Sequence, residues 1–153
     1  EVLLGPLLGA DVVQELQELA RGLPVRLRNF VENPKELYAR ARVVLSTAGY
    51  NSCGEVLAHA DRAILVPRVM HRREQLMRAR RLAELGLVTC LHPKEVSPAR
   101  LRDEVADALA SDERPLERGR AEGRVPLDGA QRFAEFLSQR VIEPHCLPAE
   151  PRA

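Results

Sequence analysis

Apolar residues fall in short β-branched runs separated by stretches in which they recur at helical spacing. Glu1-Val2-Leu3-Leu4 reads as a strand stopped by Gly5-Pro6, and Asp11 is placed to cap a helix with Val12, Val13, Leu16, Leu19 and Ala20 on one face. Gly22 ends that helix. Val25 to Val31 reads as a second strand, and Asn33-Pro34-Lys35-Glu36 has the form of a capping box opening a short helix through Ala41. Arg42-Val43-Val44-Leu45 is a third strand, followed by a helix to about His59. Ala63-Ile64-Leu65-Val66, closed by Pro67, is a fourth. A helix from about His71 to Leu85 ends at Gly86, Leu87 to Leu91 is a fifth strand, and Ser97-Pro98 opens a helix with Leu101, Val105, Ala108 and Leu109 inward. Short apolar strands alternating with helices predict an α/β fold with a Rossmann-like, doubly wound parallel sheet. Val43, Leu45, Leu57, Ile64, Val66 and Leu82 are the expected core.

Beyond Ala110 the pattern changes. Residues 111–128 are charged, contain Pro115 and Pro126 and lack an apolar period, so they read as a connection. Gly129 to Val141 reads as a last helix carrying Ala130, Phe133, Phe136 and Leu137, and Pro144 to Ala153 as a tail. The expected organisation is therefore a domain over 1–110, then a charged connection, helix and tail over 111–153. The chain opens at Glu1, without Met, inside a strand. It is expected to be a fragment whose sheet has its first strand upstream.

Composition narrows the function classes. With 153 residues, 45% hydrophobic and 29% charged, the chain can bury a core. Its 23 basic and 22 acidic residues nearly cancel and it has no Trp, two Tyr and three Phe, which argues against a nucleic-acid partner. Cys53, Cys90 and Cys146 are widely spaced without a CxxC, so they read as reduced cytoplasmic thiols, and His59, His92 and His145 are isolated; no metal is expected. No apolar run approaches the length of a membrane span.

The chemistry concentrates at the turn after the third strand, Ser46-Thr47-Ala48-Gly49-Tyr50-Asn51-Ser52-Cys53-Gly54-Glu55. Gly49 is open to backbone angles closed to other residues, and Asn51 and Ser52 are good N-cap residues. The amide groups of a helix start carry roughly half a positive charge, which suits a phosphate. Glu55 lies one turn further on, where a carboxylate accepts hydrogen bonds from a ribose diol. An ordinary capped turn has the same composition, and neither GxGxxG nor GxxxxGK[ST] is present. Tyr50 suits closing over a ligand or packing, and Cys53 suits packing inside the helix.

A second helix start carries Arg68, His71, Arg72 and Arg73 ahead of Glu74 and Gln75. It reads as an anion site at a strand's carboxyl end, with Glu74 and Gln75 on sugar hydroxyls, or as a solvated helix with Glu74 and Arg78 paired at i, i+4.

Ala48-Gly49-Tyr50-Asn51-Ser52 with Glu55, then Ile64-Leu65-Val66-Pro67-Arg68, Glu74-Gln75 and Leu82-Ala83-Glu84-Leu85-Gly86, resemble the donor-binding C-terminal domain of GT-B glycosyltransferases. The group is the one containing the bacterial peptidoglycan N-acetylglucosaminyltransferase. The resemblance spans roughly residues 1–110. It implies that Gly49, Tyr50, Asn51 and Ser52 hold the donor diphosphate, Glu55 the ribose, the main chain at Val31 the uracil, and Glu74 and Gln75 the donor sugar. Ala48 stands where close relatives often have a second Gly, and Glu74 where the peptidoglycan enzyme has Gln, which leaves the sugar open.

What the resemblance implies is the donor half of an enzyme moving a hexose or N-acetylhexosamine from a UDP-sugar to an acceptor hydroxyl. It implies no cofactor besides that donor substrate. The partner is an N-terminal acceptor-binding half supplying the catalytic base, in the same gene or a separate chain, so residues 1–153 alone are expected to be inactive. That half is also where peripheral membrane contact would arise, at the inner face of the membrane. The alternatives are a non-catalytic nucleotide-sugar binding or pairing subunit of a split transferase, and a GT-B-like sugar-nucleotide epimerase.

Overall fold

Strand β1 (Val2–Leu3) pairs in parallel with β2 (Leu27–Arg28), and β3 (Val44–Ser46), β4 (Ala63–Leu65) and β5 (Thr89–Cys90) form a second parallel sheet in that order. The computed structural model describes residues 1–69 and 73–142. The five expected strands are present, all parallel, though shorter than the apolar runs that announce them. They form two ladders, because among the described residues β1 and β3 each have one strand neighbour.

Helices follow each strand: α1 (Ala10–Leu19), α2 (Lys35–Arg40), α3 (Tyr50–His59), α4 (Glu74–Glu84) and α5 (Pro98–Ala110). Caps differ from the sequence expectation. Gly9 caps α1, so Asp11 lies inside its first turn; Pro34 in helical conformation caps α2, and Asn33 makes no capping-box bond. At α5 the expectation holds: the Ser97 hydroxyl accepts from the Arg100 N–H at 3.1 Å, with Pro98 at the first helical position. A 3₁₀ turn, Pro93–Glu95, precedes it, where His92 Nδ1 accepts from the Lys94 N–H.

Parallel register decides what is buried. Val44 lies beside Ala63 and Ser46 beside Leu65, and this face packs against Val56, Ala60 and Cys53 of the α3 region and Ala79 of α4. Leu45 lies beside Ile64 and Ile64 beside Thr89 on the other face, where Ala108 of α5 and Ser111 border a concavity of about 240 Å3. Helices thus cover both faces, as a doubly wound sheet requires. Ile64 is buried as expected, and Val43, Leu57, Val66 and Leu82 are half-buried. Leu45 is 47% exposed: β3 is an edge strand, and the residues bordering that concavity do not reach it. Leu109, expected inward, is also exposed.

The segment that reads as a connection contains α6 (Pro115–Ala121), whose Leu116 is fully buried with Val44, Val56, Ala60, Ala63, Leu87 and Val125. One turn of apolar anchoring is too short to show a period, which is why the sequence conceals it. Gly119 faces Leu87 so closely that a Cβ there would stand 2.3 Å from Leu87 Cδ2. Arginines complete the docking: Arg120 Nη1 donates to the carbonyls of Leu57 at 2.9 Å and Ala60 at 2.7 Å, and Arg124 Nη1 to that of Leu85 at 2.8 Å. These carbonyls end α3 and α4, where a helix has no backbone donors of its own. The last helix, α7 (Gly129–Leu137), runs into a π-helical turn, Ser138–Ile142. Its Phe133 and Phe136 are exposed rather than packed. His145, Cys146 and the expected tail lie outside the described residues.

Leu116→Ala is expected to destabilise the chain by roughly 2 to 5 kcal/mol, the range for a buried Leu truncation. At roughly 2 to 4 °C per kcal/mol for a chain of this size, calorimetry should show a clear fall in Tm. An unchanged Tm would mean that α6 is not part of the core.

Burial also sets an alkaline limit. It pushes up the Tyr38 phenol, with help from the Glu55 charge, the Cys53 thiol, against Arg78, and the Cys90 thiol, against Arg80 and with Glu95. A group whose folded pKa is raised contributes stability that is present below its unfolded pKa and lost as pH rises through the folded one. Unfolding midpoints in urea should therefore hold up to about pH 8 and fall from about pH 8.5 upward, where free thiols begin to ionise. A midpoint flat to pH 10 would contradict this burial.

Candidate functional site

The carboxyl ends of β3 and β4 lie level, because Ser46 pairs with Leu65 and the Val66 N–H donates to the Ser46 carbonyl at 2.9 Å. The helices that follow, α3 and α4, are tied to that edge, α4 by the Gln75 contact with Arg68 and by the Arg78 contact with the turn before α3. This is the edge at which open parallel sheets bind ligands.

At the first start the chain leaves β3 through Thr47, buried Ala48 and Gly49. Gly49 is the N-cap at φ −60° and ψ 151°, ordinary extended angles, and no side chain caps the helix. The sequence expectation is corrected twice here. Asn51 and Ser52 are first-turn residues rather than caps, and Gly49 is not needed for an unusual φ; a Cβ there would meet nothing closer than 3.9 Å. A side chain there would fit in ordinary contact with the Thr47 and Ser52 hydroxyls. The first helical bond runs from the Cys53 N–H to the Gly49 carbonyl at 2.8 Å. The N–H groups of Tyr50, Asn51 and Ser52 precede it and have no acceptor among the described residues. Such a set of amides binds anions.

Glu55 is half-buried and sits where α3 packs on α2, its charge felt at the Tyr38 phenol. Its carboxylate makes no ion pair among the described residues, although arginines are plentiful. Val31 is half-buried, and its main-chain N–H and C=O likewise bond to no described residue. Phe30 beside it is 81% exposed.

At the second start Arg73 is the N-cap and Glu74 and Gln75 fall in the first turn of α4. The helix begins later than its apolar pattern suggests; His71 and Arg72 lie outside the described residues. Gln75 is half-buried and fixed: its Oε1 accepts from the Arg68 N–H at 3.0 Å, which leaves the amide NH2 as a donor. Glu74 is exposed.

The residue that sequence reasoning missed is Arg78. Its spacing from Glu74 suggests an i, i+4 ion pair, but its Nη1 donates to the Ala48 carbonyl at 2.6 Å, and its guanidinium carbon lies 5.6 Å from the centre of the Tyr50 ring. The same charge opposes the burial that pushes the Cys53 thiol up. Cys53 is therefore a packed thiol beneath the turn, its ionisation disfavoured by burial. Among the described residues no cluster of His, Cys, Asp and Glu is placed to hold a metal ion. Nor is any described helix long and apolar enough to cross a membrane. Concavities of about 540 and 240 Å3 lie elsewhere, on α1 and at the opposite end of β4 and β5.

Known proteins with the same pattern are glycosyltransferases. A UDP-N-acetylglucosamine–N-acetylmuramyl-(pentapeptide) pyrophosphoryl-undecaprenol N-acetylglucosamine transferase of Paenarthrobacter aurescens is 30% identical over 113 residues, 73% of this chain and 30% of that protein. The transferase of the same name from a Sulfurihydrogenibium species is 32% identical over 84 residues, 54% of this chain and 24% of its own length. An uncharacterized glycosyltransferase of Methanopyrus kandleri is 30% identical over 98 residues, 64% of this chain and 28% of its own length. The chain thus spans at most 30% of the length of these relatives. The Glycosyltransferase family 28 C-terminal domain matches residues 4–139, which takes in both helix starts and α6, and the chain therefore belongs to that glycosyltransferase family as a GT-B C-terminal domain.

Proposed function

We propose that this domain binds the donor of a glycosyltransferase that moves a hexose or N-acetylhexosamine from a UDP-sugar to an acceptor hydroxyl. The observation that carries the reading is the start of α3, where the amides of Tyr50, Asn51 and Ser52 have no acceptor among the described residues, one turn from the Glu55 carboxylate, which forms no ion pair among them. A diphosphate suits the amides and a ribose diol suits the carboxylate. The main chain of Val31 is then available to a base edge, and Glu74 with the Gln75 amide to sugar hydroxyls. Two relatives carry UDP-N-acetylglucosamine in their names, which supports a UDP-linked donor.

In this reading the chemistry supplied by the domain is electrostatic. As the glycosidic bond to the diphosphate breaks, negative charge grows on the leaving oxygen, and preorganised amides stabilise it without reorganising. No cofactor or metal is assigned. The acceptor and its general base belong to the part of such a protein outside this chain, so residues 1–153 alone bind donor without transferring sugar. A cytoplasmic setting fits the free thiols Cys53 and Cys90.

Isothermal titration of the chain with UDP tests the site. Glu55→Gln keeps the size but removes charge-assisted acceptance, typically about 1.5 to 3 kcal/mol per bond, so UDP affinity should fall by roughly tenfold or more. The control is Glu84→Gln, whose exposed i, i+3 pair with Arg81 is worth little and lies at the far end of α4. Equal affinity for Glu55→Gln and the parent would remove Glu55 from the site, and absence of UDP binding by the folded parent would remove the donor assignment.

A further inference from the structure

We infer that Arg78 is a positioning residue for the anion site at the start of α3: it fixes the direction of the turn's amides and places a permanent positive charge behind them. The inference deepens the donor-site reading and rests on it. Its geometry is specific. Arg78 belongs to α4, yet its side chain crosses to the neighbouring βα turn, where Nη1 holds the Ala48 carbonyl at 2.6 Å. Because the peptide unit is planar, fixing that carbonyl fixes the Gly49 N–H to point the opposite way, and the amides of the first turn follow from it. Gly49 would otherwise be the freest residue of the turn, with only Thr47 and Ser52 side-chain atoms near 4 Å.

The second contact is with Tyr50, whose ring centre lies 5.6 Å from the guanidinium carbon, within cation–π range, while the residue is 80% exposed. One planar fork therefore touches both residues that flank Gly49. Its remaining N–H donors have no acceptor among the described residues, and no described carboxylate pairs with its charge, Glu74 one turn earlier on α4 included. A cation held half-buried beside a set of free amides raises the affinity of that spot for a doubly charged group and not for a neutral one. It also ties the two helix starts together, so the elements proposed to hold phosphate and sugar keep one relative position.

A clamp that served packing alone would disturb α3 as a whole, and so the ribose proposed on Glu55 as much as the diphosphate on the amides, and this separates the two roles. Titrations of the whole chain with UDP and with uridine, on the parent, Arg78→Met and Arg78→Lys, with circular dichroism to confirm folding, make the comparison. Arg78→Met keeps the stem and loses charge and donors; it should bind UDP about tenfold more weakly, the equivalent of about 1.4 kcal/mol, with uridine affinity unchanged. Arg78→Lys retains the charge and one donor to the Ala48 carbonyl and should recover most of the UDP affinity. If Arg78→Met does not fold, Arg78→Gln, uncharged and still able to donate, replaces it with the same expectation. A neutral variant that binds UDP like the parent, or that loses UDP and uridine equally, overturns the inference, as does Arg78→Lys binding no better than the neutral variant. A folded parent that binds no UDP fails at the earlier step and removes the donor site itself.

Discussion

The parallel pairing of β3 with β4, ending level at Ser46 and Leu65, is the constraint from which the site follows. Each strand hands over to a helix at the same edge, so two helix N-termini with their partial positive charge lie at one edge of the sheet. Arg78 spans the gap from α4 to the turn before α3. Had the strands been offset by a residue, the side chains that now face Val56, Cys53 and Ala79 would face the opposite layer.

Helix α3 is held by an arginine from elsewhere at each end. Arg78 takes the carbonyl just before it, and Arg120 takes the Leu57 and Ala60 carbonyls at its end. Asp61 in turn bonds Arg120 and pairs with Arg114 of the α6 approach. Arg42 likewise donates to the Leu109 carbonyl, and Arg62 to that of Glu113. Much of the charge that looks like solvated surface in the sequence thus serves as donors for carbonyls at helix ends and loops. A helix pinned this way presents its first-turn amides in a set direction, which is what preorganised charge stabilisation requires.

The fold and the site were legible to different depths. Strand positions could be read because Val43-Val44-Leu45 and Ala63-Ile64-Leu65 are β-branched or apolar runs of strand length, and the turn at 46–55 because its glycine and polar residues follow a strand directly. Cap identity was not legible: Asn51, Ser52 and Asn33 have capping chemistry, but Gly49 and Pro34 took the positions, and neither helix has a side-chain cap. Leu45 shows the same limit for burial, an apolar residue left open because its strand is an edge.

The sequence by itself determined the alternation of short strands and helices, the place of the glycine-containing turn and the spacing of Glu55 from it, because these are local properties of residues within a turn or two of one another. Tertiary structure alone decided what Arg78 does and that Leu116 in a charged, proline-containing segment completes the core. Those outcomes join residues dozens of positions apart, and a single guanidinium or a lone buried leucine leaves no periodicity for the sequence to display.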